Sequence, residues 1–193
     1  MKLAIVKYNA GNIMSVSYAL NRLGIDPIVT DDPTILKNAD KVIFPGVGEA
    51  STAMNYLRQH DLDVVIKNLT QPILGICLGM QLMGIHSEEG DTQCLGIFDT
   101  NVKKFPPVDK VPHMGWNQIF DFRSPLLKGI DEKSFVYFVH SFYVEKCKKT
   151  AVSCDYILPF SAGLVKDNFY AFQFHPEKSG ETGAKILKNF IEL

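Results

Sequence analysis

The first half of the chain alternates two hydrophobic periods. Apolar runs over 3–8, 27–30, 41–44 and 73–77 are short and rich in Ile, Val, Leu and Phe, as strands buried on both faces are. Between them the spacing turns helical. Val16, Ala19, Leu20 and Leu23 share one helical face after Gly11-Asn12, and Gly24 closes that segment. Asp31-Asp32-Pro33 starts a short helical or turn segment, and Ala50, Ala53, Met54 and Leu57 repeat the helical pattern behind the glycine loop Pro45-Gly46-Val47-Gly48. This strand–helix order predicts an α/β fold: a doubly wound, mixed but largely parallel sheet with helices on both faces. The second half reads differently. Strands are predicted over 96–98, 101–105, 116–120, 135–144, 150–155, 161–165 and 168–174, then a closing helix over 182–193 with Ala184, Leu187, Phe190 and Ile191 on one face. With no linker, repeat or low-complexity tract, a single domain over 1–193 is expected.

Composition excludes several classes. Among 193 residues, 46% are hydrophobic and 21% charged, and the net charge of -1 lacks the basic excess of a nucleic-acid binder. The one dense basic cluster, Lys146, Lys148 and Lys149, is explained by a solvated loop. No apolar run reaches the roughly 18 residues of a membrane span, and the N-terminus is charged too early for a signal peptide. The four cysteines, Cys77, Cys94, Cys147 and Cys154, form no C-x-x-C pair and no zinc-ligand spacing. A reduced, cytoplasmic protein without metal or cofactor is expected.

The chemistry concentrates at Gly75-Ile76-Cys77-Leu78-Gly79, a G-x-C-x-G turn between an apolar strand and a helix. It is the cysteine form of a nucleophile elbow, in which flanking glycines permit a sharp turn that holds the central side chain out at the strand's carboxyl end. The helix start favours thiolate over thiol and offers the Leu78 N–H as an oxyanion donor. A buried structural cysteine in a glycine-rich turn remains open on this pentapeptide alone. A second segment, Phe172-Gln173-Phe174-His175-Pro176-Glu177, changes the balance. Pro176 forces His175 into an extended conformation, and residues two apart then share a side. Glu177 can therefore orient the His175 imidazole, completing a Cys–His–Glu parts list for acyl transfer. Open α/β sheets bind ligands beyond the carboxyl ends of their strands, so the Pro45–Gly48 loop is expected to form a second wall of the site.

These segments resemble the class I (triad) glutamine amidotransferases through Cys77-Leu78-Gly79-Met80-Gln81 and His175-Pro176-Glu177. The likeness extends to Tyr8-Asn9-Ala10-Gly11-Asn12, Pro45-Gly46-Val47-Gly48, Pro112-His113-Met114-Gly115-Trp116-Asn117 and Tyr137-Phe138-Val139-His140-Ser141-Phe142-Tyr143. It runs from residue 3 to the C-terminus. It implies hydrolysis of glutamine to glutamate and ammonia through a Cys77 thioester, with His175 as acid/base and Glu177 as orienter. Val47 and Leu78 are implied as oxyanion donors, and Gly48, Gln81, Glu89, His140 and Ser141 as glutamine contacts. It further implies ammonia delivery to a separate (β/α)₈-barrel cyclase subunit in a heterodimer, with Asn12, Met114, Trp116, Tyr137 and Lys178 at the interface. Two places depart from the family pattern: Ala10 stands where proline is common, and Gly84-Ile85-His86 replaces Leu-Phe-Glu. Trp116, Tyr137 and Phe138 read as exposed aromatic anchors, core packing being an equal alternative for Phe138. The glycines of the Pro45–Gly48 loop suggest a peptide that partner binding reorients, leaving the free chain nearly inactive. A subunit serving a different synthase, as in surface-sugar amination, a stand-alone cysteine hydrolase and a catalytically dead module are the rival readings.

Overall fold

In the computed structural model, residues 1–9 and 12–193 are described. Gly11, expected to open the first helix, and Ala10, the first family departure, lie outside them. The chain builds β1 (Leu3–Val6), α1 (Ile13–Arg22), β2 (Ile28–Thr30), α2 (Pro33–Lys37), β3 (Lys41–Gly46), α3 (Ala50–Gln59), α4 (Leu62–Lys67), β4 (Ile73–Cys77) and α5 (Leu78–Leu82). The second half adds β5 (His86–Ser87), β6 (Thr92–Gln93), β7 (Asn101–Lys104), β8 (His113–Gln118), β9 (Phe135–His140), β10 (Phe142–Val144), β11 (Thr150–Tyr156), β12 (Leu158–Lys166), β13 (Phe169–Phe172) and α6 (Gly180–Ile191).

One large sheet runs in the order β2-β1-β3-β4-β13-β12-β10-β7-β5-β6, with β11 added beside β12. The β2-β1-β3-β4-β13 portion is parallel throughout. Its strands β1, β3 and β4 are buried on both faces, as the unbroken apolar runs require. From β13 to β12 the pairing turns antiparallel. Two apolar clusters cover the two faces: α3, α4 and α5 supply Met54, Leu57, Ile66 and Leu82 to one, while α1 and α6 supply Val16, Leu20, Leu187 and Phe190 to the other.

Two expectations are corrected and one element is added. No strand occupies 96–98; the short hairpin of β5 and β6 lies just upstream instead. The predicted strand over 135–144 is two strands in different sheets, broken at Ser141. There β9 pairs with β8 in a separate two-stranded sheet, whereas β10 joins the large one. The Ser141 carbonyl accepts from the Phe105 N–H at 3.0 Å, which holds this crossover against the end of β7. Helix α4 was not anticipated, although its buried Leu62, Val65 and Ile66 carry helical spacing. At the second family departure, His86 lies in the β5–β6 hairpin with its Nε2 2.8 Å from Asp91 Oδ1.

Candidate active site

Gly46 at the end of β3 pairs in register with Cys77 at the end of β4. The residues that follow, Val47 and Leu78, therefore emerge side by side at the carboxyl edge of the sheet. Cys77 itself has φ 54 and ψ -109, a conformation that a residue with a Cβ rarely adopts. Such a residue costs roughly 1–3 kcal/mol and persists only where its surroundings force it. Close packing does so here: a Cβ at position 79 would lie 1.9 Å from the Phe44 carbonyl oxygen, so only glycine lets the elbow sit against β3. Gly48 has φ +110 with open space where a Cβ would be, so that position is free of packing restraint. The stem of the loop is tied down. The buried Tyr8 hydroxyl donates to the Pro45 carbonyl at 2.6 Å, and burial, together with charge at Cys77, pushes its phenol above its ordinary range.

His175 enters from the other side of Cys77. β13 runs parallel beside β4, with Phe172 paired to Ile76, and the chain beyond it carries His175 alongside the elbow. His175 is extended (φ -100, ψ 95), as the proline predicted, but Pro176–Lys178 form a 3-10 turn rather than a continued strand. That turn still puts Glu177 on the imidazole, with Oε1 2.7 Å from Nδ1. Both side chains are fully buried. The backbone also holds the histidine: its N–H donates to the Tyr137 carbonyl at 2.9 Å, and its carbonyl accepts from the Ser179 hydroxyl at 2.7 Å. Burial alone would lower the His175 pKa. The Cys77 sulfur, through charge and hydrogen bonding, and Glu177 behind the ring outweigh it and raise the value to about 10. Among the described residues His175 Nε2 has no well-formed hydrogen bond. Such bonds commonly tighten only when substrate arrives.

A cavity of about 330 Å³ opens over the sulfur. Val47, Gly48, Cys77, Leu78, Gln81, Glu89, His140 and Ser141 all line it, so the expected oxyanion and glutamine-contact residues are gathered in one place. Their side chains are not equally free. Glu89 Oε2 accepts from the Ala50 N–H at 2.8 Å at the start of α3. Burial raises its pKa, the Ala50 bond opposes this, and neighbouring Glu49 adds to it. Gln81 Nε2 donates to the Phe142 carbonyl at 2.9 Å and to Gln173 Oε1 at 3.0 Å. Both ring nitrogens of His140 are occupied, Nδ1 by the Phe142 carbonyl at 2.7 Å and Nε2 by His113 Nδ1 at 3.0 Å. His140 therefore frames the cavity while its ring bonds elsewhere.

His113 and His140 belong to a buried chain. Asn117 Nδ2 lies 3.3 Å from His113 Nε2. One tautomer set satisfies every atom: Asn117 donates to His113, His113 Nδ1–H to His140, and His140 Nδ1–H to the Phe142 carbonyl. Both rings must be neutral for this. Burial lowers the His113 pKa to about 4. Burial lowers His140 to about 3, the Phe142 bond opposing and the charges of His113 and His175 assisting. The unfolded chain takes up these two protons near pH 6.5 while the folded chain does not. Their stability contribution is therefore complete above pH 6.5 and is lost as pH falls toward 4 and then 3, at up to about 1.4 kcal/mol per pH unit for each ring. His175 has the opposite sign: its contribution is complete below 6.5 and is lost as pH rises through about 10. Urea midpoints measured from pH 7 to 5 are expected to fall steeply. A flat profile would mean that the two rings are not held neutral.

Two contacts at the site were not anticipated. Asn12, read from sequence as an interface residue, directs its amide at Glu177 Oε1 and steadies the carboxylate from α1. Gln173, fully buried, donates from Nε2 to Cys77 Sγ at 3.7 Å. Gln173 lies in the bend that carries the chain from β13 to His175, and its contact with the sulfur has no local signal in the sequence. Of the expected aromatic anchors, Trp116 is 55% exposed, but Phe138 is fully buried among Phe160, Phe174 and the two histidines. The register explains the difference. Met114 and Trp116 on β8 alternate with His113, Gly115 and Asn117, while Tyr137 on β9 alternates with Val136 and Phe138. Met114, Trp116, Phe135 and Tyr137 thus share the outer face, with Lys178 Nζ 6.0 Å from the Tyr137 ring centre.

A cysteine elbow facing a carboxylate-backed histidine on a partly parallel α/β sheet defines a class, and comparison agrees. Residues 6–193 match the glutamine amidotransferase class-I family, to which the chain belongs. It is a glutamine amidotransferase. Two full-length relatives carry one name. It is 64% identical over 196 residues to the imidazole glycerol phosphate synthase subunit HisH of Bacteroides thetaiotaomicron, both chains being covered in full. It is 48% identical over 198 residues, again with both chains fully covered, to the subunit of that name from Pectobacterium atrosepticum. Among solved structures, a putative GMP synthase component from Thermoplasma acidophilum superposes with a TM-score of 0.78 at 22% identity, covering 100% of this chain and 93% of its own, a likeness of fold.

Proposed function

We propose that the chain, as one domain over 1–193, is the glutaminase subunit of an imidazole glycerol phosphate synthase, with Cys77, His175 and Glu177 as its catalytic triad. The observation that carries this reading is a fully buried His175–Glu177 pair beside the Cys77 sulfur, under a cavity lined by Gln81, Glu89 and Ser141. The Cys77 thiolate attacks the side-chain carbonyl of glutamine. The N–H groups of Val47 and Leu78 bind the oxygen as it gains charge. His175 gives its proton to the departing nitrogen, releasing ammonia and leaving a γ-glutamyl thioester. It then takes a proton from water, which attacks the thioester and frees glutamate. Glu177, steadied by Asn12, keeps the ring's Nδ1–H engaged and Nε2 aimed at the sulfur. Glu89 receives the substrate ammonium, and Ser141 with backbone N–H groups the carboxylate.

Ammonia passes to a (β/α)₈-barrel cyclase subunit seated on the outer face of the β8–β9 hairpin. This face exposes Met114 and Trp116. It borders the active site, since the carbonyl of Val139 on β9 lies 3.9 Å from Cys77 Sγ. Partner docking here can bias the loop at Val47-Gly48, whose stem alone is pinned by Tyr8. Ammonia release from glutamine, assayed with and without the cyclase subunit, tests the reading. We expect a rate near background for the free chain and a large increase on adding the partner; equal rates would rule the switch out. Trp116→Ala is expected to weaken complex formation by about 2 kcal/mol, as loss of an aromatic anchor does, with a much smaller change in thermal stability. A complex of unchanged affinity would remove Trp116 from the interface.

A further inference from the structure

Gln173 sits just beyond the end of β13 with no exposed surface, and its amide orientation is dictated rather than free. The Phe142 carbonyl can only accept, so the Gln81 atom 2.9 Å from it must be the amide nitrogen. That nitrogen also lies 3.0 Å from the Gln173 amide, which must present its oxygen there. The Gln173 nitrogen is left facing Cys77 Sγ at 3.7 Å. A backbone carbonyl on β10 thus fixes, through two glutamine side chains, an N–H aimed at the sulfur. Besides His175, the sulfur also meets the Val139 carbonyl at 3.9 Å, which can accept only from a neutral thiol. The amide and carbonyl contacts favour opposite charge states of one atom.

We propose that Gln173 is a further catalytic residue, whose amide N–H holds the Cys77 sulfur in line with His175 and stabilises it as a thiolate. Gln81 acts through it as a positioning residue. The proposal rests on the amidotransferase reading of Cys77. Gln173 cannot take or give a proton. It supplies a fixed dipole that favours the charged sulfur before attack and again when the thioester breaks.

The direct test is the pH dependence of Cys77 alkylation by iodoacetamide, which follows thiolate. The ionisable groups around the sulfur are His175, backed by Glu177, and Tyr8, with His140 and Glu89 elsewhere along the cavity wall. None is altered in Gln173→Met; Gln173→Glu adds a carboxylate beside the sulfur, whose charge raises the profile further. Gln173→Met keeps length and removes the donor. Gln173→Glu keeps an acceptor for Gln81 and puts oxygen where the N–H was. We expect the alkylation profile to move up by about one pH unit in Gln173→Met and further in Gln173→Glu. In complex with the cyclase subunit, glutamine kcat should fall at least tenfold, with KM within about twofold. A profile superimposable on the parent in either folded variant would overturn the proposal, even with a lower melting temperature. In the unaltered chain, the Gln173 side-chain ¹⁵N resonance should shift as Cys77 is titrated. A resonance that stays fixed would also overturn it, whether or not the variants fold. Alkylation needs no glutamine turnover, so an unaltered chain that alkylates as expected but fails to hydrolyse glutamine even with the cyclase subunit added would count against the glutaminase reading instead.

Discussion

Cys77→Ala is expected to lower glutamine hydrolysis by roughly six orders of magnitude, the scale seen when a triad nucleophile is removed. The fold should survive. The sulfur's contacts to Gln173 at 3.7 Å and Val139 at 3.9 Å are long; the contact that truncation removes is the one with His175, which leaves the imidazole backed by Glu177. Alanine also relieves nothing at the backbone, since the φ of 54 at this position is as awkward for alanine as for cysteine. The clearest signature is therefore dissociation of activity from stability: full-length thermal melts close to the parent, glutamine still bound in the cavity, and no acyl-enzyme. Retained hydrolysis in this variant would remove Cys77 from the chemistry.

Val47→Pro is expected to cost 10²- to 10³-fold in kcat, equivalent to about 3–4 kcal/mol of barrier, because it deletes one of the two proposed oxyanion donors. The Leu78 N–H would remain. The same change should blunt activation by the cyclase subunit, since the element proposed to respond no longer carries an N–H to turn inward. Gly46 is paired to Cys77 through the parallel ladder, and the residue ahead of it is held by the Tyr8 hydroxyl. Val47 and Gly48 are thus the first positions along the loop with freedom to change. Steady-state kinetics of the complex check this directly. A kcat within a few-fold of the parent would move the second donor elsewhere.

Much of this site was legible because its determinants are local. A turn that needs glycine on both sides of a nucleophile, or a proline that fixes the histidine before it, is written in a few adjacent residues. The parallel core was legible for the same reason, its strands being continuous apolar runs. What escaped depends on registers between distant segments. The contact of Gln81 with Gln173 spans 92 positions, and that of Asn12 with Glu177 spans 165. The first pair has no pattern until β13 is laid beside β4, and the second none until the start of α1 packs on the Pro176–Lys178 turn. The break at Ser141 escaped because 135–144 is a continuous β-forming run. Only the competing partners, β8 on one side and β7 with β12 on the other, divide it. Phe138 escaped as core because alternation gives two faces without saying which one the rest of the molecule covers.

Mass spectrometry of the chain after exposure to a glutamine analogue bearing an electrophilic ketone tests the assignment most directly. We expect one adduct, on the peptide carrying Cys77, blocked by excess glutamine and slowed when His175 is replaced. A label distributed over Cys94, Cys147 and Cys154, or modification of Cys77 that glutamine does not compete with, would contradict a glutaminase site at the β4–α5 elbow.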